Sequence, residues 1–274
     1  MKKNSVLRSA ALHFILVFFA FITLYPLFVM VISSLKTNLQ FFENIFWFST
    51  PLHWEHYSIA WPQVYPYILN SLVVSASTIL VTMAASSLAG YAFARYQFRG
   101  KNLLFYLMMT MMMIPYFLIL IPQFIMCKNL GILNTYSVQV FPSAGAFSIL
   151  STFLIRTYME GLPGSLFEAA SLEGAGDIRL FTRIALPLSK PIMATVFITT
   201  LISSWNNYIW PLVAANTDTV RPIVVAITKI SAGMSQRQGV QFSGYILASL
   251  PLVLVFCFAT KPFVEGLTAG SIKA

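Results

Sequence analysis

Long apolar runs alternate with short polar segments along the whole chain. A helix needs about 20 apolar residues to cross a bilayer, and six runs are long enough: residues 10–35, 70–94, 103–126, 137–158, 188–213 and 242–260. This pattern predicts an all-α polytopic membrane protein, with residues 1–274 forming one domain of six transmembrane helices. The first run follows basic residues as in a signal peptide, but it exceeds the roughly 7–15 residues of a cleavable apolar region. We therefore expect a retained first span.

Prolines and glycines interrupt several of these runs. The interrupting residues are Pro26, Gly90, Pro115, Pro122, Pro142, Gly145 and Pro251. Bundled membrane helices tolerate them because neighbouring helices satisfy the backbone groups that they free. We therefore expect kinked helices that pack against one another.

Composition favours a membrane location over a large soluble core. Only 9% of the residues are charged, whereas typical soluble domains carry about 25%. The net charge of +9 does not indicate nucleic-acid binding, because the basic residues lie in short segments beside the apolar runs and not on one face. Nucleic acid is therefore not an expected partner.

The basic residues also predict the orientation of the helices, since Lys and Arg are enriched in cytoplasmic segments. An N-terminus inside the cell places most of the 17 Lys and Arg residues in the cytoplasm. It leaves outside Lys36, Lys128, Arg221, Lys229 and Arg237. Six spans then place both termini on the cytoplasmic side.

The predicted first outer segment, residues 36–69, is rich in aromatic side chains and poor in charge. Its rings belong to Phe41, Phe42, Trp47, Phe48, Trp54, Tyr57, Trp61, Tyr65 and Tyr67. Such rings prefer the boundary between membrane and water, so we interpret the segment as a loop lying along the outer surface. A docking surface for an external partner is the alternative.

The chain offers no obvious energy source of its own. All eight acidic residues lie outside the six runs, although carriers coupled to protons or sodium usually place an ionisable group inside the membrane, at a cost of about 2.5–3.5 kcal/mol or more. The phosphate-binding pattern GxxxxGK[ST] is also absent from the sequence. These observations predict that no residue is catalytic and that a partner supplies energy.

No metal site or disulfide is expected either. His53 and His56 are three residues apart and would face the same way on a helix, but we find no third ligand for them in the sequence pattern. Cys127 and Cys257 lie in or beside apolar runs without metal-ligand spacing. The cysteines are predicted to be small core residues.

Residues 159–187 form the one predicted cytoplasmic loop that is long enough to hold structure, and four of the eight acidic residues lie there. Ser165 and Glu168 fit an S-x-x-E capping box that would begin a short helix, which Gly174 and Gly176 would end. In the alternative, Pro163 occupies the first helical turn and the helix begins earlier.

This short helix carries a stripe of small and apolar residues. Leu166, Ala169 and Ala170 lie at positions i, i+3 and i+4, which share a helix face. Small side chains let a helix lie deep in a groove of another protein. After it, Ile178, Phe181 and Ile184 follow a helical pattern, and Pro187 is predicted to turn the chain back toward the membrane.

The loop sequence EAASLEGAGDIRLFTRIALP resembles the EAA loop of permease subunits of ABC importers. The matching positions are Glu168, Ala169, Ala170, Gly174, Ile184, Leu186 and Pro187. Other segments resemble the carbohydrate branch of that family: 70–72 (NSL), 88–95 (LAGYAFAR), 114–115 and 121–122 (both IP), 130–131 (LG), 134–136 (NTY), 205–206 (WN), 210–211 (WP) and 266–270 (GLTAG).

The resemblance implies a type I ABC importer transmembrane domain in a bacterial cytoplasmic membrane. Its loop would form a coupling helix, with Ser165, Leu166 and the EAA positions meeting the ATPase and Gly174 permitting the bend. ATP and Mg²⁺ would bind only to separate ATPase subunits. The remaining partners would be a second homologous permease and an extracytoplasmic solute-binding protein that delivers a sugar. Glu173 stands where many members have aspartate, and Gly164-Ser165 where a charged pair is common, so individual contacts are expected to differ.

Two alternatives remain at this point. One is a stand-alone secondary carrier or channel. The other is an ABC permease for polyamines, peptides or phosphate esters.

Polar residues inside the predicted spans are candidates for a solute path. They are Asn70 and Ser71 in the second span, and Trp205, Asn206 and Asn207 in the fifth. Amide and hydroxyl groups beside an aromatic face suit a sugar. The alternative is that such residues join helices to one another by hydrogen bonds.

Overall fold

The computed structural model describes residues 2–233 and 237–269, which are mostly helical. The helices are α1 (Lys2–Ser34), α2 (Asn38–Glu43), α3 (Glu55–Arg95), α4 (Lys101–Thr110), α5 (Tyr116–Asn129), α6 (Tyr136–Glu160), α7 (Gly164–Leu172), α8 (Asp177–Leu180), α9 (Leu186–Leu188), α10 (Lys190–Trp205), α11 (Ile209–Ala214), α12 (Ile223–Gly233) and α13 (Gln238–Ala269). A 3₁₀ turn at Met111–Met113 follows α4, and a π turn at Phe181–Ala185 follows α8. No strand occurs in these ranges, and the predicted all-α class is confirmed.

Four helical segments are long and apolar enough to cross a membrane by themselves. They are Leu12–Ser34, Glu55–Arg95, Tyr136–Glu160 and Gln238–Phe258. Two bent pairs, Lys101–Met113 with Tyr116–Asn129 at 102° and Asp177–Leu188 with Lys190–Trp205 at 76°, make six spans if each pair counts as one. The third and fifth predicted spans are therefore broken helices.

Local backbone chemistry explains both breaks. Ile114 is extended, with φ −77° and ψ 119°, because the ring of Pro115 excludes the α conformation from the residue before it. The kink expected at Pro115 is thus a complete interruption. In the fifth span, the 76° bend lies at Ser189, which has φ −91° and ψ 7°. The helix α10 then ends at Trp205, because Asn206 leaves the helical conformation with φ −89° and ψ 6°. The predicted continuous helix 188–213 is wrong for this reason.

The predicted outer loop at residues 36–69 is partly helical. Thr37 caps α2 through a capping box, since its side chain accepts from the backbone N–H of Gln40 while the Gln40 side chain accepts from the backbone N–H of Thr37. The helix α3 begins at Glu55, well before the predicted residue 70, and it includes Pro62 and Pro66. Those prolines and the aromatic composition concealed the start of the helix.

The chain divides into two compact units, and the first consists of Met1–Pro66 and Ala226–Leu250. Its buried centre contains Ala60 and Val240. Lys36 is 1% exposed, and its ammonium donates to the backbone carbonyls of Asn44 and Trp47. A buried cation thereby holds the segment after α2 in place.

The second unit consists of Tyr67–Val225 and Pro251–Ala274. Helices α3 and α6 approach closely at Gly90, where a Cβ would lie 2.7 Å from Cγ2 of Ile155. Small residues permit such close approach between membrane helices. The core built around this contact consists of Tyr91, Ile155, Met159, Phe167, Leu180, Ala185, Ile192 and Val196. The loop 159–187 contributes to this core. The single domain predicted for residues 1–274 stays a prediction.

Candidate functional site: a helical loop and a polar cleft

The loop 159–187 begins with a turn after α6 and then forms α7. Pro163 precedes the helix with φ −57° and ψ 124°, and α7 starts at Gly164 without a side-chain cap. The predicted capping box is wrong, because Ser165 already lies inside the helix and cannot cap it. The alternative, in which Pro163 lies in the first helical turn, is closer to the structure, because Pro163 lies one residue before that turn. The helix has nine residues, as short as predicted.

Gly174 ends α7. Its φ is +83°, a left-handed conformation that glycine adopts without steric cost. The N–H groups of Glu173 and Ala175 return to the carbonyls of Ala169 and Ala170, at 3.1 and 2.9 Å. Gly176 has no such conformation and instead precedes α8 in extended backbone. The end of the helix at Gly174 is as the sequence predicts.

The second half of the loop continues as α8, the π turn and α9. Pro187 lies in the first turn of α9, where a proline needs no N–H donor. The bend that leads into α10 follows Ser189, which has φ −91° and ψ 7°. The turn predicted at Pro187 is therefore displaced by two residues.

The loop has a buried face and an exposed face. Phe167, Leu180 and Ala185 are buried in the core of the second unit, while Ala170 and Ile184 pack partly against it. The exposed residues include Ser165, Leu166, Glu168, Ala169, Leu172 and Ile178, of which Leu172 is 90% and Ile178 81% exposed. Apolar side chains exposed beside polar ones are typical of a surface that contacts another protein.

Arg95, the last residue of α3, joins three parts of the site. One nitrogen of its guanidinium donates to the backbone carbonyls of Met159 and Leu162, both at 2.9 Å. Its Cζ lies 3.9 Å from the ring centroid of Phe167, a cation–π distance. The end of α6 and the helix α7 are thus held to the end of α3 by one side chain.

A second contact links the same region to α8. Burial and a hydrogen bond with the Asp177 side chain raise the pKa of Tyr96 to about 12. The hydroxyl therefore remains a donor at neutral pH. Because this pKa is raised above the ordinary value of 10.0, the stability that it contributes is fully present below pH 10 and is lost as the pH rises through about 12.

Sequence reasoning missed Arg95 and Phe167 as parts of the site. Arg95 entered the sequence analysis as one of the cytoplasmic basic residues and as the end of the segment LAGYAFAR, without a contact role. Phe167 lies between the positions selected for the stripe. The available signal was an arginine at the last position of an apolar run, since such a cation must find acceptors nearby.

A cleft of about 380 Å³ opens where α10 ends, beside α5 and α6. Most of its lining is apolar, and it is called the polar cleft here for the amides and hydroxyls that it also contains. Its polar and aromatic lining residues are Tyr116, Gln123, Ser143, Phe147, Ser203, Asn206, Asn207, Tyr208 and Trp210. The amide nitrogen of Asn207 donates to the hydroxyl of Ser143 at 3.3 Å, and Trp210 donates to the carbonyl of Val138 at 2.7 Å. The side-chain amides of Asn206 and Asn207 reach the cleft because α10 ends at Trp205.

Of the five predicted path residues, two line this cleft. Asn206 and Asn207 line the cleft, whereas Trp205, the last residue of α10, is buried at 5% exposure and does not line it. Contact with a solute stays a prediction for all five. The cleft also contains Gln123, which the sequence reasoning missed, although an amide in the apolar stretch of α5 was a usable signal.

Asn70 and Ser71 hold the segment that precedes α12. The Asn70 amide donates to the carbonyl of Arg221 at 2.9 Å and accepts from the hydroxyl of Tyr136 at 2.7 Å. The Ser71 hydroxyl accepts from the N–H of Ile223 at 2.8 Å. Asn70 and Ser71 therefore join helical segments by hydrogen bonds, which was the alternative to a solute path.

Broken apolar helices, a polar cleft and an exposed helical loop together define the class of polytopic membrane transport proteins. Residues 85–265 match the family described as "Binding-protein-dependent transport system inner membrane component". The chain belongs to this family, and the predicted ABC permease is confirmed. Gly270 of the C-terminal motif and Lys273 lie outside the described residues.

The chain is similar to permease proteins that are named for different transported solutes. It is 27% identical to the arabinooligosaccharides transport system permease protein AraQ of Halalkalibacterium halodurans, over 99% of both chains. It is 29% identical to the sn-glycerol-3-phosphate transport system permease protein UgpE of Yersinia pestis, over 93% of this chain and 94% of the other. A solved bacterial ABC transporter that imports the acidic polysaccharide alginate contains a chain that aligns with a TM-score of 0.81 and 19% identity, over 94% of this chain and 97% of that one. This last likeness shows the fold.

Replacement of Arg95 by methionine tests its joining role. The substitution roughly keeps the length of the side chain but removes this donor from both carbonyls. The Met159 carbonyl still accepts from the N–H of Leu162 at 3.2 Å, whereas the Leu162 carbonyl loses the donor that Arg95 supplies, and an unsatisfied carbonyl costs about 1–3 kcal/mol. We expect a lower thermal unfolding temperature of the detergent-solubilised protein.

Arg156→Met is the matched control. Arg156 also lies over a ring, 3.7 Å from the centroid of Phe105, and pairs with Glu160 at 2.9 Å on the same helix. The loss of this partly exposed pair is worth at most about 1 kcal/mol. Equal destabilisation by the two substitutions would contradict the joining role of Arg95.

Proposed function

We propose that this chain is the permease subunit of a type I ABC importer for a sugar or oligosaccharide, and that its loop 159–187 receives mechanical work from separate ATPase subunits. In this proposal both termini and the loop are cytoplasmic, as the distribution of basic residues predicts. ATP and Mg²⁺ bind to the ATPase, and this chain carries out no bond-breaking chemistry.

One observation carries the coupling role: the loop presents exposed residues outward while it is anchored inward. Glu168 and Leu172 project from α7, and Phe167 of the same helix is buried in the core of the second unit. A partner that displaces the exposed face therefore pulls on the core. The contacts of Arg95 convey that displacement to the ends of α3 and α6.

The proposed transport cycle uses these connections. Closure of the ATPase subunits on ATP moves α7 and α8 together with the ends of α3, α6 and α10. The long membrane helices then tilt, and the cavity between two permease subunits changes the side on which it opens. Gly174 permits the sharp turn that lets α7 seat in a groove while α8 continues toward α10.

This chain has a surface on which a second homologous permease could pack. An apolar groove of about 570 Å³ is lined mainly by α3 and α10, and it includes Leu80, Met83 and Phe197. Leu80 is 71% exposed. In the membrane such a groove contacts either lipid or another helix, and the small residues Ala76 and Ala84 on the same surface favour close helix packing.

The polar cleft supports a sugar as the cargo. Its amides and hydroxyls are neutral hydrogen-bonding groups, and the exposed rings of Tyr116 and Tyr208 supply apolar faces. This combination suits the hydroxyl edges and the C–H faces of a sugar ring. The relative AraQ, whose name specifies arabinooligosaccharides, is consistent with this class of solute.

A phosphate ester is the second candidate cargo, because the relative UgpE is named for sn-glycerol-3-phosphate. Phosphate sites in proteins usually include Arg or Lys. The residues that line the described cleft include no charged side chain. We therefore favour a neutral sugar over a phosphate ester.

Substitution of the exposed loop residues tests the coupling role. Leu172→Asp and Glu168→Ala change side chains that project outward, so the fold of the chain should be preserved. We expect the dissociation constant of the complex with its ATPase subunits to rise at least tenfold, and solute-stimulated ATP hydrolysis to fall in proportion.

Thr182→Ala is the control, since Thr182 is exposed in the same loop but its hydroxyl bonds locally to the Ile178 carbonyl, four residues earlier, at 2.7 Å. Unchanged ATPase binding and uptake in the Leu172 and Glu168 variants would refute the proposal.

Substitution of the cleft amides tests the cargo path. Gln123→Leu and Asn207→Leu remove hydrogen-bonding groups, and we expect sugar uptake by the reconstituted complex to fall at least fivefold while assembly with the ATPase is retained. Thr199→Val on α10 is the matched control, because Thr199 bonds within its own helix to the carbonyl of Thr195 at 2.9 Å. Uptake that is equally insensitive to all three substitutions would exclude this cleft as the path.

A further inference from the structure

Two histidines and a glutamate cluster at the start of α3, within the first unit. His53 precedes the helix, Glu55 is its first residue, and His56 follows. One ligand atom from each residue lies within 4.8 Å of those of the other two. A carboxylate therefore lies beside the two histidines, which the sequence pattern did not indicate.

The hydrogen bonds determine which ring nitrogen carries the lone pair. Nδ1 of His56 lies 2.9 Å from the backbone carbonyl of Ser34. Nδ1 of His53 lies 2.6 Å from the Glu55 carboxylate. Both partners accept hydrogen bonds, so each Nδ1 carries the proton and each Nε2 of the neutral ring has a free lone pair. Each ring thereby keeps one nitrogen lone pair for a ligand bond.

The two rings are held near each other before any ion binds. Their centroids are 5.6 Å apart and their planes differ by 22°. His56 packs directly against Gly239, where a Cβ would lie 2.3 Å from its Nδ1. The backbone N–H of His53 donates to the Leu35 carbonyl at 2.9 Å. Packing and backbone contacts therefore limit the movement of both histidines.

The surroundings match those of metal-binding histidines. Such residues usually donate their second ring N–H to a carboxylate or a backbone carbonyl, which orients the ring and increases its basicity. Here the Glu55 carboxylate accepts from Nδ1 of His53, and the Ser34 carbonyl accepts from Nδ1 of His56. The His53 side chain is 22% exposed, and a cleft of about 320 Å³ adjoins the cluster on the side of Glu55, His56 and Arg237. An ion can thus enter from water.

We propose that His53 and His56 form a binding site for a borderline divalent transition metal such as Zn²⁺, Cu²⁺ or Ni²⁺, with Glu55 as the orienting carboxylate. The ligands are the two Nε2 atoms, and water completes the coordination. Imidazole ligands favour these metals over Mg²⁺ and Ca²⁺, which prefer oxygen. The bound ion fixes the ring of His56, whose other nitrogen bonds to the Ser34 carbonyl at the end of α1, and its binding is independent of the transported solute.

The test uses the full-length chain, purified in detergent, freed of any polyhistidine tag and stripped of metal by a chelator. Cu²⁺ serves as the spectroscopic probe. We expect one ion per chain, with electron paramagnetic resonance showing two equivalent imidazole nitrogens. Competition with a chromophoric chelator then measures the affinity for Zn²⁺.

Variants separate this site from adventitious binding. His53→Gln and His56→Gln should each weaken Zn²⁺ binding at least tenfold, and Glu55→Gln by a smaller factor. His13→Gln is the matched control, because His13 is the third histidine of the chain and its Nδ1 contacts the Ser9 carbonyl at 2.7 Å on α1; it should bind as the wild type does. Thermal unfolding in the presence of chelator confirms that each variant is folded.

Two results would overturn the proposal. One is a wild-type spectrum with fewer than two nitrogen ligands. The other is a His53→Gln variant that is folded and binds Zn²⁺ with the wild-type affinity.

Discussion

The guanidinium of Arg95 is the contact on which the rest of this structure depends. A permanent charge at the end of a long apolar helix must find acceptors, and Arg95 finds them in the carbonyls of Met159 and Leu162. Those carbonyls lie at and just after the end of α6, where few backbone donors remain. The same group covers the ring of Phe167. One side chain therefore satisfies a helix end and also fixes the position of the loop helix α7, so that the exposed face of α7 is mechanically continuous with the core.

Interrupted helices shape the other functional region. Pro115 separates the two halves of the third span, and the residues after Trp205 separate α10 from α11. Backbone that leaves the helix at membrane depth is tolerated where it is buried in protein or lines a wet cavity. The cleft beside Asn206 and Asn207 is such a cavity. The breaks thus account for where polar groups become exposed in this cleft.

Much of the fold could be predicted from hydropathy, because apolar runs in lipid have few alternatives to a helix. The all-α class was accessible in this way, and six crossings agree with the structure if each bent pair counts as one span. The end of α7 at Gly174 was accessible from the glycine itself. The start of α3 at Glu55 was not, since Pro62, Pro66 and nearby aromatic residues look like a loop when only local propensity is considered. The capping role assigned to Ser165 failed because Pro163 already determines where the helix begins.

The candidate sites depend on contacts between distant residues, and these were less accessible. The pairing of Asn70 with Tyr136 and Arg221 brings together residues far apart in sequence, so its joining role could only be an alternative beforehand. Gln123 and Asn207 come to one cleft for the same reason. The role of Phe167 depends on a rotation of α7 that the stripe of Leu166 and Ala169 only partly indicated. Such facts belong to tertiary structure, and periodicity along one helix does not contain them.

The central claim is that this chain has no motor and receives work through its loop. The most direct measurement is solute uptake into liposomes that contain either this chain alone or the chain with its partner permease and ATPase subunits, in both cases with the binding protein outside. The account predicts uptake only from the complete complex, and only with ATP inside. Accumulation of solute by the chain alone, without nucleotide, would contradict it.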